Sequence, residues 1–144
     1  VAPLWVAYQV NLGTLLRTCD AVGACMAVPA TPHYRKALNK GDTLARRPHL
    51  HWIKNSKTAW IHEQRRAGKR LVAVELSHRA IPLSLLEPAR ESTVLLLGHE
   101  SVGVPDEIID QADDVVQIPM LGVGVSLNVA VAGSLVAYRL AGLS

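Results

Sequence analysis

The sequence predicts an α/β fold with a mainly parallel sheet flanked by helices. Two short apolar runs, Val94 to Leu97 and Val115 to Ile118, stop abruptly at Gly98 and Pro119, as strands buried on both faces of a parallel sheet do. Segments with apolar residues at helical spacing separate most such runs, and alternating strands and helices imply parallel crossovers. With 144 residues and 49% hydrophobic content, the chain matches about one domain by the ~150-residue prior and can build an ordinary core. A single domain over residues 1–144 is expected.

Leu4 to Tyr8 is predicted as the first strand. Asn11 to Val22 follows as a helix, because Leu12, Leu15, Leu16, Cys19 and Val22 recur at helical spacing; Asn11 is the natural N-cap and Gly23 the natural stop. Ala24 to Val28 is a second strand, closed by Pro29. Residues 30–48 are polar, basic and broken by Pro32, Gly41 and Pro48, which predicts a long surface connection with a turn or two of helix. His49 to Ile53 is a short strand, Ser56 to Ala67 an exposed helix capped by Ser56, and Arg70 to Leu76 another strand. Ser77 to Ser92 is predicted as loop with one helical turn near Leu83 to Leu86. Pro105 to Gln111 is a short helix, with proline in the first turn where its missing N–H costs nothing. After Pro119, a loop with glycines at 122 and 124 leads to Ser126, the predicted N-cap of a last helix reaching Ala137. That helix is small or apolar on every side and so should be buried.

Several classes are excluded by composition. The longest apolar stretch, Val129 to Ala137, is interrupted by Gly133 and Ser134 and is far shorter than the ~20 residues a membrane span needs. The opening VAPLWVAYQV lacks the charged region and cleavage pattern of a signal peptide. Cys19 and Cys25 match no metal or redox spacing, which suits reduced thiols in a cytoplasmic protein. Net charge is only +3, yet 11 of the 15 Lys and Arg residues lie between Arg35 and Arg70. With Tyr34, Trp52 and Trp60 among or beside them, these cations suit a polyanionic partner such as nucleic acid. An ordinary solvated surface would carry the same cluster. Arg46, Arg47, Arg65 and Arg66 are the candidates, chosen by charge.

The ends of the apolar strands carry the candidate chemistry. Ligands of open α/β sheets bind beyond the carboxyl ends of strands, which puts a site at the loops after Leu97 and Ile118. Gly98, His99, Glu100 and Gly103 place a carboxylate in a glycine-flanked loop there. Asn11 and Arg17 stand six residues apart after the first strand, a spacing that cannot share one helical face, so Asn11 is expected to curl in from the loop. Taken singly, each of these also fits a bland role: a solvated arginine, a turn with an acid, a cap. His99 fits a loop histidine, and no metal set or Ser-His-Asp constellation accompanies it.

Together, however, three patterns in order resemble a known set. Asn11-x-Gly13-x-x-x-Arg17-Thr18, then Gly98-x-Glu100-x-x-Gly103, then Ile118-Pro119-Met120 with Ser126-Leu127-Asn128 are similar to the three motifs of the SpoU (TrmH-like) branch of the SPOUT RNA methyltransferases. The resemblance implies a parallel sheet with a C-terminal trefoil knot, S-adenosylmethionine as methyl donor, and transfer to a ribose 2'-hydroxyl of tRNA or rRNA. It further implies a homodimer, in which the first motif of one subunit approaches the cofactor of the other. Leu76, Gly98, Ile118, Met120 and Leu127 would hold the cofactor. Arg17 corresponds to the family's catalytic arginine, and Asn11, Glu100, Ser126 and Asn128 to the polar positions supporting it, with Glu100 holding Arg17 through a paired hydrogen bond. No metal is implied and no separate RNA-binding domain is expected, so RNA grip would fall to the basic middle of the chain.

Two other classes bear on the same residues. A catalytically inactive RNA-binding protein could keep this fold, and Gly122-Val123-Gly124 prompts a dinucleotide-dependent oxidoreductase. The latter fits poorly, because the fingerprint needs a third glycine where Leu127 stands.

Overall fold

A computed structural model describes residues 1–39 and 48–144. Its elements are α1 (Gln9–Val22), β1 (Met26–Pro29), α2 (Pro32–Asn39), β2 (Leu50–Ile53), α3 (Lys57–Arg66), β3 (Arg70–Val74), β4 (Ile81–Pro82), a 3-10 turn (Leu83–Leu85), β5 (Thr93–Leu96), α4 (Asp106–Ile109), β6 (Asp114–Gln117) and α5 (Val129–Leu140). Four strands form a parallel sheet in the order β4-β6-β3-β5, and β1 pairs with β2, also parallel. Val1 and Ala2 stitch the two sheets together. Ala2 N–H donates to Leu95 O at 2.7 Å and Leu97 N–H to Ala2 O, while Ala27 N–H donates to Val1 O at 2.8 Å and the Val1 amine to Cys25 O. All strands therefore point one way, and the sheet has one carboxyl edge and one amino edge.

The strands are buried on both faces and alternate with period two. Val72, Leu95 and Val116 pack under α1, α2 and α5 with Leu12, Leu15, Leu16, Leu38 and Val136. Their neighbours Leu71, Ala73, Val94, Leu96 and Val115 face the other side, with Ile61, Trp60 and Ile108. Three layers result, with the sheet in the middle. The predicted parallel α/β architecture is thus what the chain adopts.

Several expectations are corrected. Residues 4–8 are not a strand; the ladder position is held by Val1 and Ala2. The backbone of the next residues is engaged by side chains instead: the buried Tyr34 hydroxyl lies 3.2, 2.9 and 3.0 Å from the carbonyls of Pro3, Leu4 and Val6. A phenol surrounded by acceptors favours its protonated form, and burial, with the Glu100 charge second, raises the Tyr34 pKa well above its ordinary value. Helix α1 starts earlier than expected, at Gln9, so Asn11 lies inside it and is buried. Gly23 ends it in the left-handed conformation at φ 69°, as expected. The stretch predicted as loop after Ser77 contains β4, whose two residues are too few to show a pattern. Ser56 caps α3 by accepting from Ala59 N–H at 3.1 Å, as predicted.

The last helix starts at Val129, not after Ser126, and its N-cap is Asn128, whose Oδ1 accepts from the backbone of Ala130 at 2.8 Å and Val131 at 3.2 Å. Nor is it buried all round. Val131, Leu135 and Tyr138 are 48%, 42% and 38% exposed and, at i, i+4 and i+7, share one outward stripe. Among the described residues no helix is long and apolar enough to cross a membrane.

Candidate active site

At the carboxyl edge of the sheet, a cavity of about 450 Å³ opens between the ends of β3, β5 and β6 and the start of α5. Its floor is made by strand ends, Val74 and Val116, and its walls by the segments that leave them. Leu76, Gly98, Ile118 and Leu127 line it, as do Asn11, Glu100, Ser126 and Asn128. Eight of the ten residues expected at a catalytic or cofactor site line this opening. Met120 is among the expected cofactor residues but does not line the cavity and is 37% exposed. Arg17 also lies off the lining, exposed on α1.

The loop after β5 owes its shape to close backbone contact. A Cβ on Gly98 would stand 2.3 Å from the Gly103 carbonyl carbon and 2.4 Å from Val104 N, so no other residue fits without moving the backbone. Gly103 turns the chain at φ 72°, and its N–H donates to His99 O at 2.8 Å while His99 N–H donates to Gly103 O at 3.1 Å. The imidazole of His99 serves the same turn, its Nδ1 accepting from Ser101 N–H at 2.9 Å. His99 is therefore a loop-forming histidine.

Across the mouth runs a directed chain of hydrogen bonds. Glu100 accepts from the N–H groups of Ala7 at 2.9 Å and Tyr8 at 2.8 Å, and from Asn11 Nδ2 at 2.9 Å. Asn11 Oδ1 in turn accepts from Asn128 Nδ2 at 3.1 Å, and Asn128 Oδ1 caps α5. An ionised carboxylate only accepts, so each amide downstream can point one way only. Burial alone would push the Glu100 carboxyl up, but the donors at Ala7, Tyr8 and Asn11 outweigh it and hold its pKa below the ordinary 4.5. The carboxylate thus anchors the segment that leads into α1, where Tyr8 at the cap position makes no side-chain bond. The expected pairing of Glu100 with Arg17 is corrected accordingly: the carboxylate is engaged by backbone and by Asn11.

Asn11 and Arg17 do occupy different faces, but for another reason than a curled loop. Both are on α1, and six residues at 100° each leave them about 120° apart. Asn11 faces the cavity, and Arg17 faces solvent.

Glu75 was not singled out in the sequence, where it is one acid at a strand end. It lines the cavity and accepts from Leu76 N–H at 2.9 Å and Val104 N–H at 3.0 Å, tying β3 to the loop after β5. Among the described residues, the lining includes Glu75 and Glu100 but no lysine or arginine. No group of three His, Cys, Asp or Glu residues among them is placed to hold a metal ion.

The aromatic residues that suggested nucleic-acid contact divide. Tyr34 and Trp60 are core residues, each 6% exposed, whereas Trp52 is half-buried with the Arg35 guanidinium 4.6 Å from its ring centre. Arg65 and Arg66 are exposed in the last turn of α3, beside the amino end of β3 and so at the opposite edge from the cavity. Arg46 and Arg47 lie outside the described residues.

Comparison with known proteins follows the same geometry. The model of the SpoU rRNA Methylase family matches residues 5–138. A tRNA (cytidine(34)-2'-O)-methyltransferase of Beijerinckia indica is 37% identical over 134 residues, covering 88% of this chain and 79% of the relative. A tRNA (guanosine(18)-2'-O)-methyltransferase of Aquifex aeolicus is 32% identical over 131 residues, covering 90% of this chain and 62% of the relative. The crystal structure of an AdoMet-bound rRNA methyltransferase from Sinorhizobium meliloti is similar with a TM-score of 0.81 at 28% identity, covering 96% of this chain and 54% of that one. The chain thus spans between about half and two thirds of the length of the latter two. Three motif segments converging on one cavity, on a parallel α/β sheet matched over residues 5–138, lead to one conclusion: the chain belongs to the SpoU rRNA Methylase family.

Proposed function

We propose that this chain transfers a methyl group from S-adenosylmethionine to a ribose 2'-hydroxyl of tRNA or rRNA. The observation that carries the reading is the chain Glu100–Asn11–Asn128, because it joins all three motif segments across the mouth of one cavity. The named activities of the relatives, all of them 2'-O-methyltransferases, support it.

The cavity suits the cofactor on its own features. A volume of about 450 Å³ lies in the range of small-ligand pockets. Leu76, Ile118 and Leu127 offer apolar walls for an adenine ring, and two carboxylates without a lining cation suit a ligand with a positive centre. When bound, S-adenosylmethionine supplies an electrophilic methyl on a sulfonium whose charge is lost on transfer. Glu100, Asn11 and Asn128 fix the start of α1 and of α5 around that space, and Ser126 presents a hydroxyl at its rim. The resemblance to the SpoU branch implies a C-terminal trefoil knot, with the segment leading to α5 passing through the loops that line the cavity.

Arg17 is read as the catalytic residue. A guanidinium is a fixed cation and not a base, so it orients the ribose and phosphate and stabilises the oxyanion as the hydroxyl proton passes to a substrate phosphate oxygen or to water. Its position off the lining, 120° around α1 from Asn11, supports delivery to the cavity of a second copy. Exposed Val10 on α1 and the stripe Val131, Leu135 and Tyr138 on α5 give a homodimer apolar surface to bury.

Transfer of labelled methyl from S-adenosylmethionine to total RNA, followed by digestion to nucleosides, tests the reading. Label in 2'-O-methylnucleosides that falls by about 100-fold or more in Arg17→Ala, with cofactor binding retained, is the expected result. Cofactor and RNA binding without transfer would instead point to a catalytically inactive RNA-binding protein.

A further inference from the structure

The direction of the sheet sorts the basic residues into two groups that charge alone cannot separate. Every helix after a parallel strand begins at the carboxyl edge and returns to the amino edge. Cations in first turns and in loops after strands therefore share the edge of the cavity, and cations in last turns lie opposite. Arg35 in the first turn of α2, Lys54 after β2 and Lys57 at the start of α3 belong to the first group. Arg65, Arg66 and Lys69 belong to the second, about 15 Å away along the ten residues of α3.

The first group is also paired with aromatic rings. Lys57 Nζ stands 5.9 Å from the ring centre of Trp5, and Arg35 is stacked over Trp52. Both rings are half-buried, and Arg35 and Lys54 are exposed. Trp5 leads directly to Tyr8, which is 59% exposed and lines the cavity. Of the described acids at this edge, Glu63 accepts from Asn55 at 2.8 Å, Glu75 and Glu100 accept from backbone N–H groups, and Asp106 and Glu107 are exposed in the first turn of α4. At the amino edge the charges are mixed, with Arg65, Lys69 and Arg70 beside Glu91 and Asp113, and Arg70 is paired with Asp114 at 2.9 Å.

We propose that single-stranded RNA is held along the carboxyl edge, on the cation–aromatic pairs Lys57–Trp5 and Arg35–Trp52 with Lys54 between them, and enters the cavity past Tyr8. The inference rests on the methyltransferase reading for the identity of the strand and goes beyond it in naming the surface. Lysine and arginine neutralise phosphates, and flat side chains stack unpaired bases without regard to sequence, so the two together fit an RNA loop rather than a duplex.

Direct binding of a short single-stranded RNA of mixed sequence, at several salt concentrations, tests the surface independently of catalysis. Lys54→Glu/Lys57→Glu should weaken binding by about tenfold or more and flatten the log–log salt slope by about 1.4, the share of two phosphate contacts. Position 57 opens α3, where a carboxylate is favourable, so the fold is preserved; Arg35→Gln gives an independent arm with a smaller loss. Arg65→Glu/Arg66→Glu should change affinity by less than about threefold. Equal or greater loss in the Arg65/Arg66 variant, unchanged binding in the Lys54/Lys57 variant, or no salt-dependent binding by the unaltered chain would overturn the proposal. Binding that follows this pattern without any methyl transfer would refute the activity and leave the surface standing.

Discussion

Replacing Glu100 by Gln removes one acceptor and one charge from a place where three donors converge. Two of them, Tyr8 N–H and Asn11 Nδ2, meet Oε2, and Ala7 N–H meets Oε1. The amide keeps two bonds by turning its oxygen to the first pair, but its NH₂ then faces the Ala7 N–H, donor against donor. Bonds to a charged acceptor contribute about 1.5–3 kcal/mol each. Because Glu100 is half-buried, the lower end applies, and losing one bond while weakening two should cost about 2 kcal/mol. For a chain of this size that is a fall in Tm of roughly 5–8 °C. A pH series adds a second readout. The folded pKa of Glu100 is held below 4.5, so its contribution is present above the unfolded value and is lost as pH falls through the lower folded value. The gap in stability between the parent and Glu100→Gln should therefore be full at neutral pH and close below about pH 4.5. Thermal and urea melts measure both. A variant that melts within roughly 1 °C of the parent at pH 7, or a gap that does not close in acid, would refute the role given to this carboxylate.

Other substitutions test neighbouring parts of the same assembly. Gly98→Ala forces a methyl against the Gly103–Val104 backbone and should cost about 3 kcal/mol while abolishing S-adenosylmethionine binding measured by calorimetry. Tyr34→Phe strips a hydroxyl donor shared by three buried carbonyls; a loss of about 1–3 kcal/mol in urea melts is expected, with faster hydrogen exchange over residues 3–8. If the arrangement of Arg17 in trans is right, mixing inactive Arg17→Ala chains with inactive Gly98→Ala chains should restore part of the transfer activity, since one of the two mixed sites then has both an intact cavity and an intact arginine.

How far the sequence led can be judged from particular residues. Leu12, Leu15, Leu16 and Cys19 revealed α1 because burial on one face imposes its spacing on the sequence. Val94 to Leu97 revealed β5 because burial on both faces leaves no polar positions. The ends were less legible. Ser126 and Asn128 are both good caps by type, and only the packed structure selects Asn128, whose amide is also engaged by Asn11. Leu4 to Tyr8 has strand-like composition, yet Tyr34 and Glu100, far along the chain, engage its backbone and turn it away from the sheet. Glu75 gave no signal, since its role depends on a loop nearly thirty residues later.

By itself the sequence determined the class of fold, the order of most elements and the three motif segments, since each follows from local periodicity or from short patterns of residues. Tertiary structure decided which of those residues meet. It joined Glu100, Asn11 and Asn128 into one chain of bonds, left Arg17 on another face, and divided the cations between the two edges of the sheet. The physical reason is common to all three: periodicity and charge are properties of neighbours along the chain, whereas hydrogen-bond partners and the direction of a parallel sheet are set by groups brought together from distant positions.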